Sequence, residues 1–452
     1  MVMRADRELS PLEIIEGAVQ TRAKHSSIDM SEPDAIERIL DLIRNEIATW
    51  QLDFRRGTRQ YELVDPDDLA KRALRNLTGF GPLGPLLDDP DVWEVMVNSP
   101  NSIFVKRHRG HTGYHDESFH DDEHVVRTLT KILDESSTSH RKLDPSEGLQ
   151  DAQLDSGARL HIVHGDIARG GHIMINVRKF TGIAFNDLHE LVESSTITHQ
   201  VAMFLTACVR ARRSIVFAGA PGSGKTTLLS CCAAELDPSL RVVIAEEVFE
   251  ADVPLANVAG MQTRAARADR PAIDLRRLVA GFLRMAPDVA IVGEVRDREA
   301  LPLLLTLSSG VQGFTTIHAG SARQALTRLR FICQLSDSAS DLPISALNTL
   351  VSESIDIVVH AVRTPGGPRV SSVLAVEDLN GPADSTQFTT TEVFRRARPD
   401  EPLTWTGQIP VRLSRALAEA SYDIRDLVDA HARTALAGTD RDGTPRNGVQ
   451  IR

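Results

Sequence analysis

Near the start of the chain, apolar positions recur at helical spacing. In SEPDAIERILDLIRNEIATW (31–50), Ile36, Ile39, Leu40, Ile43, Ile47 and Trp50 fall on one face. This predicts an amphipathic helix with Ser31 as its cap and Pro33 in the first turn. Residues 1–30 are polar and mixed in charge and read as a loose tail. A polar stretch near 53–67 then separates this extension, residues 1–60, from the next region.

From GFGPLGPLLDDPDVWEVMVN (79–98) the period shortens toward two. The runs WEVMVN, SIFVKR, RLHIVH and HIMINVRKF read as strands, and EHVVRTLTKIL between them as a helix. In the last run Ile173, Ile175 and Val177 alternate with His172, Met174, Asn176 and Arg178, as in a half-exposed strand. Residues 61–182 are therefore expected to form a small α+β domain, and 183–199 a polar connector with a hinge at Phe180–Ile183. From about 200 the pattern becomes strand–helix alternation. SIVFAG, RVVIAEE, VAIVGE and FTTIH are short, β-branched and continuously apolar, and helical stretches such as DLRRLVAGFLRMA lie between them. IDIVVHAV and RVSSVLAVEDL add further strands. Residues 200–434 thus predict an α/β domain with a doubly wound parallel sheet. The Gly- and charge-rich 435–452 is expected to be disordered.

Bulk composition narrows the function classes. The 452 residues exceed one core and predict two or three domains. Net charge is −11, from 51 basic and 62 acidic residues, which argues against a general nucleic-acid coat while leaving room for a local basic groove. Cys208, Cys231, Cys232 and Cys333 show no paired spacing, so neither zinc nor a disulfide framework is expected, and a reducing compartment fits. No stretch approaches the roughly 18 apolar residues of a membrane span. A cytoplasmic protein is expected, attached to a membrane only through partners.

The chemistry gathers in the α/β region. GAPGSGKTT comprises Gly219, Ala220, Pro221, Gly222, Ser223, Gly224, Lys225, Thr226 and Thr227. A strand precedes it and a helix follows, the setting of a phosphate-binding loop. Glycines let the backbone N–H groups curl around a phosphate, and the helix dipole adds to the field. Lys225 supplies a point charge for the β- and γ-phosphates, and the Thr226 hydroxyl is placed for Mg²⁺. VAIVGEVRD (289–297) ends a buried strand in Glu294, the candidate for polarising an attacking water. Many ATPases place an Asp just before that Glu to hold magnesium; here the position is Gly293. The missing carboxylate is sought in AEEVFEAD (245–252), where Glu246, Glu247 and Glu250 crowd the end of the neighbouring strand. Three acids there repel one another, and a divalent cation or its waters would relieve the crowding. Glu247 and Glu250 are the candidates to hold metal-bound water or orient the nucleophile. His318, at the end of GFTTIH, is equally a γ-phosphate sensor or a structural residue by spacing alone.

These four blocks, in order, resemble the secretion-superfamily ATPases of type II and type IV secretion, pilus assembly and conjugation. GFGPLGPLLDDPDVWEVMVNSPNSIFVKRHRG and DAQLDSGARLHIV…INVRKF look like the N-terminal domain of the tight-adherence (Tad) pilus and Flp-type ATPases, the CpaF-like branch. The resemblance runs, with gaps, from about 60 to 420. It implies a RecA-like ATPase core that binds ATP and Mg²⁺, a homohexameric ring, and an inner-membrane platform protein as partner. It also implies Thr226 and Glu250 at the metal, and arginines completing the site. Arg159 and Arg178 match the family's arginine positions, and Arg284 and Arg296 flank the Glu294 strand. The family's Glu-Asp-x-x-Glu box has Glu247 in place of the Asp, Gln153 stands where an Arg is usual, and Ala286 where a second Arg is common.

Three functions are open as alternatives. The first is a motor that converts ATP hydrolysis into pilus assembly or protein secretion. The second is a conjugation motor using TRAARADRPAIDLRR (263–277), with Arg264, Arg267, Arg270, Arg276 and Arg277. The absence of aromatics in that stretch weakens a base-stacking role and makes nucleic acid the less favoured partner. The third is a nucleotide-gated scaffold without turnover.

Overall fold

The computed structural model describes residues 9–30, 32–107, 111–136, 142–179, 185–264, 271–335, 342–379, 387–398 and 400–428. The chain divides into two compact units, Met1–Thr181 and Gly182–Arg452. The expected hinge at Phe180–Ile183, the tail at 435–452, and Ser31, Arg267 and Arg270 lie outside the described residues.

The first unit opens with three helices, α1 (Pro11–His25), α2 (Ala35–Arg55) and α3 (Pro66–Thr78). The loose tail expected for residues 1–30 is thus corrected, because residues 11–25 are helical. Ser10 and Glu13 form a reciprocal capping box, satisfying two N-terminal donors at once. Leu12, Ile15 and Val19, at i, i+3 and i+7, bury against Ile39, Ile43, Ile47 and Trp50 of α2. The face read for α2 holds except at Ile36, which is 56% exposed. The helix also starts later than expected, at Ala35, after Pro33 and with Asp34 as its N-cap. Trp50 Nε1–H donates to the Tyr61 carbonyl at 2.9 Å, tying down the polar stretch after α2.

After α4 (Gly84–Asp88) come β1 (Val92–Ser99), β2 (Ser102–Arg107), β3 (Gly113–His115), α5 (Asp122–Glu135), β4 (Leu149–Gln153), β5 (Arg159–Val163) and β6 (Met174–Arg178). The strands form one antiparallel sheet in the order β3-β2-β1-β6-β5-β4. Alternate residues Val95, Val97, Ile103, Val105, Leu160, Ile162, Ile175 and Val177 form one face and pack with Val125, Leu129, Ile132 and Leu133 of α5. The period of two in the sequence is this one-sided burial.

The second unit runs through α6 (Leu188–Glu193), α7 (His199–Arg210), β7 (Ile215–Gly219), α8 (Lys225–Ala233), β8 (Val242–Glu246), β9 (Val258–Gln262), α9 (Leu275–Val279), β10 (Val289–Val292), α10 (Ala300–Ser308) and β11 (Gln312–Ile317). It continues with α11 (Ala322–Gln334), α12 (Ile344–Ser354), β12 (Ile357–Thr364), β13 (Gly367–Val376), β14 (Thr390–Arg395), β15 (Thr404–Trp405), α13 (Val411–Glu419) and α14 (Ile424–Val428). Its sheet has the order β15-β14-β13-β12-β7-β11-β10-β8-β9. From β12 to β9 all pairings are parallel, and β13 to β15 add an antiparallel wing. Phe217, Ile244, Ile291 and Phe314 pack on one side with α7 and α8, while Val216, Val243, Ala290 and Val292 pack on the other with α9, α10 and α11. Burial on both faces explains why these strands read as continuous apolar runs. This is the doubly wound α/β core that the pattern predicts, and it fits the RecA-like core that the resemblance implies.

Two local readings change. DLRRLVAGFLRMA is not one helix: α9 ends at Val279, a short 3₁₀ turn spans Phe282–Met285, and Ala286 is left-handed at φ 50°. Gly281 and the Ala286–Pro287 step break the register. The edge strand β9 escapes the pattern because small residues in NVAGMQT give little alternation. All four cysteines are free thiols and buried. Among the described residues no helix is long and apolar enough to cross a membrane.

Candidate active site

The parallel strands β7, β8, β10 and β11 end at one edge, where the candidate groups collect. Leaving β7, the chain turns through Gly219 (φ 154°), Gly222 (φ 72°) and Gly224 (φ 85°) and enters α8 directly at Lys225. A Cβ on Gly219 would stand 2.3 Å from the Ala361 carbonyl and 2.4 Å from Ser223 Oγ. The loop therefore exists only with glycine there. Gly219→Ala is expected to cost about 2–4 kcal/mol of stability and to abolish nucleotide binding, measured by thermal unfolding with and without Mg·ATP.

The Ser223 hydroxyl is fully buried with no hydrogen-bond partner among the described residues. A buried orphan hydroxyl within a glycine cradle at a helix N-terminus is what an enclosed phosphate oxygen would satisfy. Lys225 Nζ lies 3.1 Å from the Ala220 carbonyl and 3.3 Å from His318 Nδ1. Thr226 and Thr227 come next, in the first turn of α8. From the β12–β13 hairpin, Arg363 donates to the Gly222 carbonyl at 3.1 Å, and the Pro368 ring stands over Gly224.

Opposite the loop, Glu294 lies just past β10 and is 21% exposed at its side chain. His318 Nε2 lies 2.9 Å from Glu294 Oε1. His318 Nδ1 is 3.2 Å from the Gly219 carbonyl, so the ring spans the phosphate loop and the acid. The ring thus meets Glu294 at Nε2 and both Lys225 and the Gly219 carbonyl at Nδ1. Arg296 grips the same carboxylate by two bonds, Nε–Oε1 at 2.7 Å and Nη2–Oε2 at 3.0 Å. Its Nη1 reaches Glu247 Oε2 at 2.7 Å. Burial works against ionisation of Glu294, but the bonds from His318 and Arg296 and the guanidinium charge outweigh it. They hold the carboxyl well below the usual range. Glu294 is therefore an anion throughout the physiological range and has no proton to supply.

The three acids of the neighbouring turn separate into distinct environments. Glu247 is exposed and paired with Arg296. Glu246 is buried, and its Oε1 accepts from the Glu250 and Ala251 N–H groups at 3.0 and 2.9 Å. Glu250 is half-buried at the end of the turn. The clustering read from the sequence is thus divided, with one acid turned inward. Among the described residues no three His, Cys, Asp or Glu side chains converge as a cage for a metal. The donors present, a hydroxyl and carboxylates near a phosphate cradle, suit Mg²⁺ held partly by water and phosphate oxygens.

Arg284 is exposed on the 3₁₀ turn. Arg264 donates to the Pro271 carbonyl at 3.2 Å. Arg159 and Arg178 belong to the first unit, where they stand directly opposite each other on β5 and β6. Glu94 and Lys106 continue the row beyond Arg178, and Gln153 ends it beyond Arg159. The register thus pairs two cationic residues across neighbouring strands. Sequence reasoning missed Arg363, Glu246 as a backbone acceptor, and the buried Glu299. The Glu299 carboxylate takes the Arg296 and Asp297 N–H groups and shapes the turn that carries Arg296. Its spacing, acid three residues after Arg296, is that of a cap and was readable as one.

Residues 76–365 match the family model described as type II/IV secretion system protein. The chain belongs to that family. This secretion-family chain is 29% identical over 309 residues to the conjugal transfer protein TrbB of Rhizobium radiobacter, covering 64% of this chain and 85% of that one. It is 30% identical over 311 residues to the type IV secretion system protein PtlH of Bordetella pertussis, covering 63% and 89%. Among solved structures it is similar to the VirB11 ATPase of the Brucella suis type IV secretion system in complex with sulphate, at 25% identity and a TM-score of 0.34, covering 65% and 94%. It is also similar to the Legionella pneumophila ATPase DotB, at 14% identity and a TM-score of 0.41, covering 77% and 84%.

Proposed function

We propose that the second unit hydrolyses ATP and that the chain works as a homohexameric motor of a secretion or pilus-assembly machine, acting on an inner-membrane platform protein. One observation carries the reading. A single imidazole, His318, links Lys225 of the phosphate loop at 3.3 Å to Glu294 at 2.9 Å. A group in that position feels both the charge on the loop and the state of the acid.

In this reading the loop N–H groups and Lys225 hold the β- and γ-phosphates. Glu294 aligns the attacking water and draws its proton. His318 senses the γ-phosphate through its Nδ1 edge and passes the change to Glu294. Thr226 and Glu250 hold Mg²⁺, directly or through water, and the ion when bound neutralises phosphate charge. Glu247 sets the orientation of Arg296. We assign Arg159 and Arg178 of the first unit to anion binding.

The test is Mg²⁺-dependent ATP hydrolysis by the purified protein over a range of concentrations, beside Lys225→Ala. Turnover per subunit should rise with concentration, and Lys225→Ala should lose nucleotide binding along with turnover. Absence of hydrolysis at every concentration, with nucleotide still bound, would sink the autonomous motor and leave a nucleotide-gated scaffold. The similarity to TrbB supports a second reading, a conjugation motor. Tight, salt-sensitive binding of DNA that stimulates turnover would favour it.

A further inference from the structure

We propose that Glu246 is a positioning residue for the acidic turn, and that position 293 is glycine because the Glu246 side chain fills the space beside it. This rests on the site being the ATP-hydrolysing centre proposed above.

The geometry begins in the ladder. β8 and β10 are parallel neighbours with Ala245 opposite Val292, and the Gly293 N–H continues the pairing to the Ala245 carbonyl at 3.0 Å. Glu246 and Gly293 are therefore the next step of that ladder, at the edge where the chemistry sits. A Cβ on Gly293 would stand 2.9 Å from Glu246 Cγ and 3.1 Å from its Oε1. The long carboxylate cannot swing aside cheaply, because it is 3% exposed and its Oε1 is held by the Glu250 and Ala251 N–H groups. Gly293 is fixed on its own side too, since its carbonyl accepts from Thr316 Oγ1 at 2.7 Å.

An acid donated by the neighbouring strand has thus taken the volume that the side chain before the catalytic acid would need. Its oxygen is spent on backbone donors, which separates its role from that of Glu250. By closing the turn five residues long, Glu246 sets where Glu250 ends relative to Glu294. The glycine that looks like a lost ligand in the sequence is a clearance for this prop. An Asp at 293 and a Glu at 246 are alternatives that cannot coexist in this geometry.

The test is a double-mutant cycle of Glu246→Ala and Gly293→Ala, with Glu246→Gln beside it, read by thermal unfolding and by kcat and KM for Mg·ATP. Gly293→Ala should lower the Tm of the wild-type chain by at least about 2 °C more than it lowers that of Glu246→Ala. Glu246→Ala should reduce kcat by about 100-fold with KM within a few-fold. Glu246→Gln keeps the acceptor oxygen and should recover most of kcat. If Glu246→Ala does not fold, Glu246→Ser serves in its place. Additive Tm losses would overturn the clearance argument. A Glu246→Gln variant as inactive as Glu246→Ala would overturn the positioning role, since charge rather than hydrogen bonding would then matter. The Tm cycle needs no turnover, so a wild-type chain that hydrolyses nothing would remove the functional reading while the contact stands or falls separately.

Discussion

Glu294→Gln reduces Mg²⁺-dependent ATP hydrolysis by about 10²–10⁴-fold while nucleotide still binds. The substitution keeps the shape at the end of β10, and the Gln oxygen can still accept from His318 and Arg296 Nε, while its NH2 replaces the oxygen that accepts from Arg296 Nη2. What it loses is the anion that those two residues hold far below the usual carboxylate range. Without it, water beside the γ-phosphate has no acceptor for its proton. Steady-state hydrolysis together with binding of a fluorescent nucleotide analogue reads both halves. Equal turnover in the two chains would mean that another carboxylate, Glu250 first among them, is the base. The sign of the pH dependence comes from the same pair. Glu294 stays charged through the range in which an ordinary glutamate titrates, so an acid limb in the rate above about pH 4 belongs to another group.

Acid should destabilise the first unit in part through His124. His124 is 1% exposed in α5, and burial, reinforced by the charges of His120 and Arg127, pushes its pKa down to about 3. Asp121 and Glu13 oppose this without overcoming it. Its Nδ1 accepts the His120 N–H at 3.3 Å, and the two rings stack at 4.7 Å between centroids. The folded unit keeps this ring neutral, whereas the unfolded chain protonates it below its ordinary value of about 6.5. The unfolded state thus binds the extra proton, and stability falls as pH drops below about 6.5, at about 1.4 kcal/mol per unit, levelling off near the folded value. Denaturant midpoints measured from neutral pH down to about pH 4 should show this slope in the wild type. In His124→Gln, whose side-chain oxygen can still take the His120 N–H, the slope should be shallower by close to one proton. Parallel curves for the two chains would refute the assignment.

The two results differ in how far they could be read from sequence. That the Gly-rich loop, Glu294 and His318 all lie at the carboxyl ends of strands is legible, because strands read plainly when both faces are buried. The acidic turn is only half legible. That Glu246, Glu247 and Glu250 share a strand end can be read from spacing, but which one turns inward depends on backbone N–H groups four and five residues on. Arg296 was visible as a flanking charge, whereas its bridge between Glu294 and Glu247 requires two strand ends to be side by side. In the first unit α1 was missed because its apolar positions are sparse, although Ser10 and Glu13 at capping-box spacing announced its start. His124 looks in sequence like any polar residue of an amphipathic helix. Its burial comes from His120 and Phe119 closing over it, a matter of tertiary packing.

The order of the large sheet has a consequence for synthesis of the chain. β7 carries the phosphate loop at its end, yet both its partners, β11 and β12, lie about a hundred or more residues later. The six strands of the first unit, by contrast, are complete once Arg178 has been made. On the ribosome the leading half can close while the loop behind it is still an unpaired segment. The loop gains its first neighbour only when Ile317 has emerged, and His318 arrives with that same strand. Translation therefore supplies the first strand partner of β7 and His318 together, long after the Gly-rich loop itself has been made.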